Sequence, residues 1–390
     1  MYYIANYIKP FFLVLNILVV LINANYPQQL CGHTATLINN RIYFVGGGDC
    51  PETYPQTSEY FFYLDVSSQF EIYNLLNKMN DLSNYSGLPN LIQAGAVSTG
   101  PNKNSILIFG GLMANNMLSG SLYIFDTLNY SRWKPLLING TTPPGRRNIV
   151  PITNSIGNIY IYSGFSGNNG TNTTLEYYNY LDILDTTNGW NWNKGSITNF
   201  PTKRDAYTAI LIPGDIIVYL GGYCPDCNLT TISLYDTKSN TWEQMNPTGN
   251  TPAPRGHATS VTCLDGTGII VYGGCQITAT YQFIRSSPDM LILNISQKPY
   301  KWIIPKISGG EHIPPSSLCF HTSTVVGNYM IVAYGFSPSN NQPNSEIFLL
   351  DISNNSEFKW VLNFYPGTNN TSISPIPTPI PTPNNNWFII

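Results

Sequence analysis

Three histidines have the side chain best suited to metal chemistry. His33, His257 and His321 each open a short run of similar composition, and three imidazoles brought together could bind a transition metal. One residue type repeated at one position of a pattern instead favours a structural role, with each imidazole hydrogen-bonded to the neighbouring unit. The other histidine, His312, lies in a predicted loop, and no Tyr-His or Cys-Tyr constellation suited to copper can be placed. The sequence predicts no metal site and no cofactor.

A recurring acid or amide is the second candidate for chemistry. It ends an apolar run at Asp65, Asp126, Asp185, Asp236, Asn294 and Asp351. Glycosidases need two carboxylates that face one another across the substrate. Side chains repeated at strand ends are more typical of caps on the following turn, and no Asp-box turn of the sialidase type occurs. We expect no catalytic residues.

Composition sets the fold class that must position these residues. The chain has 390 residues, of which 43% are hydrophobic, 13% aromatic and only 10% charged. Lysine and arginine number 18 against 21 acids, and no stretch concentrates basic residues, so nucleic acid is excluded as a partner. The 32 Gly and 29 Pro supply turns, and the aromatics favour strands. An all-β fold is predicted.

A repeat accounts for most of the chain. A strand ending in a glycine turn recurs at intervals of 52 to 64 residues, with first turn positions at Gly46, Gly110, Ser163, Gly221, Gly273 and Gly335. Each unit also has a preceding run that forms a hairpin with this strand, the terminal acid or amide, and then an aromatic residue. The aromatic residues are Phe70, Trp133, Trp192, Trp242, Trp302 and Trp360. Four strands per unit cannot bury their own core, so the units must pack on one another.

This pattern resembles the kelch repeat, a β-propeller family that includes galactose-oxidase-like and attractin-like propellers. The resemblance covers about residues 31 to 365 and implies six four-stranded antiparallel blades, with the tryptophans filling the wedges between blades. The sequence departs from the pattern at Phe70 in blade 1, at Ser163 in blade 3, and at Phe336, which replaces the second glycine in blade 6. Asn25 to Leu30 either adds a closing strand or hangs loose.

The resemblance also implies a ligand face. In similar kelch domains the loops after the second strand, and the arginines in the blade connections, line a mouth around the axis. Arg147, Arg204 and Arg255 are therefore the candidate ligand contacts, and converging guanidiniums would favour an acidic or sugar-bearing ligand. The alternative is that these arginines bond loop carbonyls and are structural.

Seven cysteines in a secreted chain favour disulfides with one thiol left over. Cys31 and Cys50 lie at the same end of one predicted hairpin. Cys275 and Cys319 lie on the same face of neighbouring blades, and Cys224 can close on Cys227 within its loop. Cys263 is expected to be free.

The two ends suggest export. Phe11 to Ile22 is an apolar run preceded by Lys9, so residues 1–24 are predicted to be a signal peptide, followed by the propeller over 25–365. Residues 366–390 are predicted to form a Pro/Thr/Asn-rich stalk, and a membrane anchor beyond it, outside this chain, is a hypothesis. Candidate glycosylation sites are Asn84, Asn129, Asn139, Asn169, Asn172, Asn228, Asn294 and Asn354.

We therefore predict a secreted or cell-surface propeller that binds a protein or glycan at its loop face without catalysis. The competing prediction is an extracellular galactose-oxidase-like or other carbohydrate-active enzyme on the same scaffold. A third possibility is a structural spacer with no ligand.

Overall fold

The computed structural model describes residues 27, 29–49, 57–85, 87–100, 102–115, 117–167, 177–224, 227–310 and 312–367. The predicted signal peptide and nearly all of the predicted stalk lie outside these residues. Within the described part, no helix is long and apolar enough to cross a membrane. The chain forms a six-bladed β-propeller, as predicted.

Each blade is an antiparallel sheet built on four strands, numbered here from the axis outwards. Blade 1 contains Thr34–Ile38, Arg41–Val45, Phe61–Asp65 and Met79–Asp81. Blade 2 contains Gly95–Thr99, Ser105–Phe109, Leu122–Asp126 and Lys134–Leu136. Blade 3 contains Ile152–Thr153, Ile159–Tyr162, Leu181–Asp185 and Asn191–Lys194.

The second half of the ring repeats this arrangement. Blade 4 contains Thr208–Ile212, Ile216–Leu220, Ile232–Asp236 and Thr241–Met245. Blade 5 contains Gly256–Thr262, Gly268–Ile277, Met290–Asn294 and Lys301–Ile303. Blade 6 contains Thr322–Val326, Tyr329–Ala333, Ile347–Asp351 and Phe358–Val361.

Short elements extend some blades. Thr248–Gly249 adds in parallel to the outer strand of blade 5, and Ile307–Ser308 does the same in blade 6. Phe283–Arg285 folds back on the long second strand of blade 5. The other two-residue pairs join Leu91–Ile92 to Leu112–Met113, Phe336–Ser337 to Gln342–Pro343, and Phe70–Glu71 to Asn363–Phe364. A 3-10 helix spans Ile72–Lys78.

Burial of both faces explains why the second strands are mostly apolar. Ile159–Tyr162 and Tyr329–Ala333 are buried at every position, so they cannot alternate as a strand with one solvated face would. Six hydrophobic clusters result, and each joins two neighbouring blades. Trp133, Trp242, Trp302 and Trp360 are buried in four of these seams, as predicted.

Blade 1 differs from the prediction. Its outer strand is Met79–Asp81, after the 3-10 helix, and not the segment that begins at Phe70. Phe70 instead stacks on Phe364, with ring centroids 4.8 Å apart, in the seam between blades 6 and 1. It fills the wedge that a tryptophan fills elsewhere, although it reaches that wedge from a different strand.

The ring closes without a strand exchanged between the chain ends. Each of blades 1 and 6 takes its four strands from one continuous stretch. The Gly335 amide donates to the carbonyl of Leu30 at 3.0 Å, and the ribbon of Phe70–Glu71 with Asn363–Phe364 ties the end of blade 6 to blade 1. Leu30 is thus bonded into the ring, which matches neither of the two expected alternatives.

The turn in blade 6 is displaced by one residue from the prediction. Tyr334 has φ +57°, like the first turn residues elsewhere, and Gly335 has φ +96°, like the second. The departure from the kelch pattern is therefore Tyr334 at the first turn position, and Phe336 lies beyond the turn. The pattern misplaced it because a left-handed tyrosine is rare and the glycine is the visible signal.

Candidate functional site

Six structurally equivalent residues surround the axis on the face that carries the glycine turns. We call them the axial ring: Gly32, Gln93, Asn148, Ala206, His257 and Phe320. All six have φ between +52° and +61° and line a central channel of about 190 Å³. Each lies where a blade connection turns into the first strand or just before it.

Backbone hydrogen bonds link the ring. The amide of Gln93 donates to the carbonyl of Gly32 at 2.7 Å, and the bonds continue from Asn148 to Gln93, from Ala206 to Asn148 and from His257 to Ala206. The Gly32 amide donates to the carbonyl of Phe320 at 3.1 Å, which joins the last blade to the first. This order places Asn148 opposite Phe320 and Gln93 opposite His257.

One side of the mouth is polar. Asn148 Nδ2 donates to Asp205 Oδ2 at 2.6 Å, and Arg147 Nη1 donates to Gln93 Oε1 at 3.1 Å. Asp205 is 5% exposed; burial raises its pKa to about 6, against the opposing effects of Asn148 and Arg147. Asn148 Oδ1 is buried and has no hydrogen-bond partner among the described residues. It is an unsatisfied acceptor within this polar side.

The other side is aromatic. The rings of His257 and Phe320 lie 3.8 Å apart between centroids, and Phe283 meets Phe320 edge-on at 5.1 Å. Tyr223 packs on His257 at 5.4 Å. Burial, then the charge of Arg147, lowers the pKa of His257 to about 3, so the imidazole is neutral at physiological pH. These half-buried rings offer an apolar wall.

The candidate arginines are separated by the structure. Arg204 and Arg255 are buried, and their Nη1 atoms donate to the turn carbonyls of Gly221 at 3.1 Å and Gly273 at 2.9 Å. Arg146, rather than Arg147, is their equivalent, because its Nη1 donates to the corresponding carbonyl of Ser163 at 2.9 Å. Only Arg147 of the three candidates reaches a residue of the axial ring. Arg204 and Arg255 therefore bond turn carbonyls, as in the alternative in which these arginines are structural.

A repeated backbone bond explains that arrangement. In every blade connection one carbonyl accepts from the second residue of the preceding glycine turn, and the six acceptors are Leu30, Leu91, Arg146, Arg204, Arg255 and Leu318. A side chain at this position lies against the next turn. The residue at this position is leucine in three blade connections and arginine in the other three.

The histidines do not share one position, contrary to the prediction. His33 and His321 are equivalent, and each bonds a threonine of a neighbouring blade: His33 Nε2 with Thr322 Oγ1 at 2.9 Å, and His321 Nε2 with Thr259 Oγ1 at 2.8 Å. Burial lowers the pKa of both to about 3. His257 lies one residue earlier, in the axial ring. In the described part of the chain, no three His, Cys, Asp or Glu residues group as metal ligands.

The recurring acids cap turns, as predicted. The amide two residues on donates to the side-chain oxygen at 2.8–3.0 Å in all six blades, at Asp65, Asp126, Asp185, Asp236, Asn294 and Asp351. These turns lie at the end of the propeller opposite the mouth, because the third strands run away from the glycine turns.

Sequence reasoning missed two buried acids, Asp205 beside the mouth and Asp182 in blade 3. Asp182, 1% exposed, forms an ion pair with Arg146 and a second with Lys194 at 2.5 Å. The ring of Tyr180 packs under both cations. The position of Asp182 in its strand is usually apolar in the other blades, so the repeat pattern gave no reason to expect a charged residue there.

The cysteines form two described disulfides, Cys224–Cys227 and Cys275–Cys319, with Cα atoms 5.0 and 5.9 Å apart. The second joins blade 5 to blade 6 directly before Phe320. Cys31 is also disulfide-bonded, and Cys50 lies outside the described residues. Cys263 is a buried free thiol, whose pKa burial raises to about 11.

The candidate glycosylation sites are distributed unevenly. Asn129, Asn294 and Asn354 lie at the turns between third and fourth strands, away from the mouth. Asn84 and Asn139 lie in the connections from the outer strand of one blade to the inner strand of the next. Asn228 precedes a third strand on the mouth side. Asn169 and Asn172 lie outside the described residues.

Comparison with known proteins agrees with this geometry. A family model described as the KLHDC2/KLHL20/DRC7 Kelch-repeats domain matches residues 32–274. The chain belongs to this kelch-repeat family. The match ends within the glycine turn of blade 5, and the structure shows that blade 6 continues the kelch repeat.

Two similar proteins give further context. The chain is 24% identical over 193 residues to the leucine-zipper-like transcriptional regulator 1 homolog of Drosophila melanogaster, a match covering 47% of this chain and 19% of the relative. It thus spans about a fifth of that relative's length. The solved structure described as "Structure of YjhT" superimposes with a TM-score of 0.62 at 14% identity and covers 86% of this chain and 98% of that one, which shows a shared fold.

Sequence reasoning missed most of the kelch mouth. Gln93, Asn148 and Phe320 gave no signal, because equivalent positions carry different residue types and so form no repeat. Aligning the blades by the starts of their first strands would have shown that Gln93, Asn148 and Phe320 occupy one position. Gly32, at the same position in blade 1, is the residue whose type indicates a left-handed backbone.

Proposed function

We propose that this kelch propeller is a non-catalytic binding module whose ligand site is the mouth around the axial ring. The main support is that four equivalent positions with left-handed backbone are occupied by large side chains, those of Gln93, Asn148, His257 and Phe320. A left-handed backbone costs a residue other than glycine about 1–3 kcal/mol. Gly32 shows that glycine fits the position, so retention of large side chains supports a functional role.

We further propose that the module works outside the cell, secreted or on the surface. The apolar N-terminal run and the disulfides support this. So does the placement of the sequons Asn129, Asn294 and Asn354 at the end opposite the mouth, where glycans would leave the ligand face open. When the full chain is expressed in a eukaryotic secretory host, the protein recovered from the culture medium should begin at Asn25. It should lose mass on treatment with peptide N-glycosidase. Retention of residues 1–24 on a cytosolic product would contradict this part.

Binding at the mouth is tested with displayed peptides and a glycan array, using wild type and paired variants. Phe320→Ala and Asn148→Ala alter the mouth. Their controls are Trp190→Ala and Asn39→Ala, which change the same class of residue at φ +58° and +53° near turns on the opposite end. Hits should be lost with the mouth variants and kept with the controls. Hits that are lost with the controls and kept with the mouth variants would place the ligand site elsewhere. If the wild type turns over a sugar and Asp205→Asn does not, the protein is an enzyme and the non-catalytic proposal is wrong.

A further inference from the structure

The outer strand of blade 4 is the longest of the six outer strands and is the last strand of its sheet. It spans Thr241–Met245 and pairs with the third strand at all five residues, whereas the other outer strands have three or four residues. In the described part of the chain, no backbone hydrogen bond joins its outer side to another segment. We call this strand the blade 4 edge.

Two other blades cover the same edge with the connection that enters the blade. In blade 5, the amide of Thr248 donates to the carbonyl of Tyr300 at 2.8 Å, and the amide of Asn250 donates to the carbonyl of Trp302 at 3.3 Å. In blade 6, Ile307–Ser308 pairs in parallel with the outer strand. The fold therefore accepts a further strand at this place.

The connection that enters blade 4 bonds to side chains instead. The amide of Ser196 donates to Asn240 Oδ1 at 2.7 Å, and Trp242 Nε1 donates to the carbonyl of Ser196 at 3.0 Å. The amide of Thr198 donates to Ser196 Oγ at 3.2 Å, within its own segment. The backbone of the blade 4 edge is thus left open to another strand.

Equivalent residues show which backbone groups of the edge point outwards. Trp192 and Trp302 are the equivalents of Trp242 in blades 3 and 5. The amide of Trp192 donates outwards to the carbonyl of Asn139 at 3.4 Å, and the carbonyl of Trp302 accepts from outside its blade. Because backbone groups on one side of a strand recur every second residue, the N–H and C=O of Gln244 also point outwards.

Blade 2 has a proline at the position of Gln244. Pro135 pairs with Tyr123 as Gln244 pairs with Ser233. Proline has no N–H to donate, and within sheets it is found at edges, where it discourages the addition of a further strand. The blade 4 edge contains no proline, so its outward N–H groups can pair.

Side chains beside the edge distinguish between possible partners. Glu243, at the centre of the strand, is 51% exposed and pairs with Lys298. A second copy of this chain that paired antiparallel over all five residues would place Glu243 opposite Glu243, which is unfavourable. Ile197 directly follows Ser196 and is 77% exposed, so it offers an apolar contact. These features fit a strand from a different protein.

We propose that the blade 4 edge binds an extended strand of a partner protein, which pairs with the outward N–H and C=O groups of Trp242 and Gln244. The partner strand has a neutral or basic residue opposite Glu243 and an apolar residue against Ile197. This site lies on the outer rim of the propeller, separate from the mouth, and it does not depend on the proposed function.

The experiment is selection of phage-displayed β-hairpins, with one strand randomised, on the full chain. Gln244→Pro removes one outward N–H and should weaken binding of the enriched hairpins about 10-fold or more. Gln244→Ala, which keeps that N–H, is the matched control and should change binding less than about 2-fold, as should Phe320→Ala in the mouth. Pro135 shows that a blade of this propeller accommodates proline at this position.

Hydrogen exchange of the wild type keeps the test valid if Gln244→Pro unfolds early. The amides of Trp242 and Gln244 should exchange quickly in the free protein and at least about 10-fold more slowly with a hairpin bound. The amides of Glu243 and Met245, which face the third strand, should be protected in both states. Unchanged exchange at Trp242 and Gln244 would overturn the inference.

The other outcomes identify what replaces the partner strand. Equal losses in Gln244→Pro and Gln244→Ala overturn backbone pairing. Hairpins that lose binding only in Phe320→Ala bind at the mouth, which overturns this inference and leaves the proposed function standing. A dimer of the purified chain that Gln244→Pro dissociates makes a second copy the occupant, and absence of any enriched hairpin overturns the inference.

Discussion

The two ends of the propeller treat their sixfold repetition in opposite ways. At the turns between third and fourth strands, six equivalent positions carry five aspartates and one asparagine that make the same hydrogen bond. At the axial ring, six equivalent positions with the same backbone conformation carry six different side chains. Repetition of a residue marks what every blade needs in order to fold, whereas we propose that divergence at the axial ring marks what the molecule as a whole presents to a ligand.

The same contrast separates the arginines. Arg146, Arg204 and Arg255 are bonded alike to turn carbonyls and serve the scaffold, while Arg147 is displaced by one residue and meets Gln93. Chemistry of the residue type alone does not distinguish these roles; their register relative to the glycine turn does.

The largest effect should come from breaking a scaffold position. Arg146→Leu leaves Asp182 buried with only Lys194 as a cationic partner, and we expect the free energy of unfolding to fall by about 3–5 kcal/mol. Denaturant unfolding measures it. Arg285→Leu, which breaks the more exposed pair with Asp289, is the matched control and should cost less than about 1 kcal/mol. Equal losses would contradict the assignment of Arg146 to the scaffold.

Acid should destabilise the scaffold through His33 and His321. Their pKa values are near 3 in the fold and about 6.5 in the unfolded chain, so the unfolded chain binds more protons between those values and stability falls as pH drops from 6.5. Asp205, with its raised pKa, acts in the opposite direction between about 3.8 and 6, but it is one group against three histidines, because the pKa of His257 is lowered in the same way. His33→Gln should remove about 2 kcal/mol of the loss between pH 7 and pH 5. Unfolding curves with unchanged pH dependence would show that His33 titrates normally.

The caps at the opposite end should be interchangeable in energy. Asp126→Ala and Asp236→Ala should each cost about 1 kcal/mol, because each loses the bond from the amide two residues on and one further bond within an exposed turn. Asp236→Asn keeps an acceptor and should cost less than about 0.5 kcal/mol. Ligand affinity should be unchanged in all three variants. Loss of ligand binding in any of them would contradict the assignment of this end to folding and of the axial ring to binding.

These contrasts also explain what the sequence could predict. The glycine turns, the capping acids and the tryptophans recur, so periodicity alone predicted the number of blades and the roles of Asp65 and Trp242. Errors arose where one residue decides the register: Tyr334 replaces a glycine, His257 precedes the position of His33, and Arg147 follows that of Arg204. Left-handed backbone at residues other than glycine sets these registers, and residue type gives little sign of it.

Truncation at the axial ring should change stability less than loss of a cap does. Gln93→Gly relieves a left-handed backbone but loses the bond from Arg147, so the free energy of unfolding should shift by less than about 1 kcal/mol. Binding of a mouth-dependent peptide should nevertheless fall at least about 5-fold, which is about 1 kcal/mol. A large loss of stability with intact binding would reverse the comparison between the two ends.

A substitution scan of the full chain, scored in parallel for folded yield and for binding of a mouth-dependent peptide, tests the central claim most directly. The account predicts that positions which lose binding but keep folded yield concentrate at Gln93, Asn148, His257 and Phe320. Substitutions at the six capping positions should lower binding only in proportion to the folded yield. Binding-specific losses at the capping turns, with the axial ring tolerant of substitution, would contradict it.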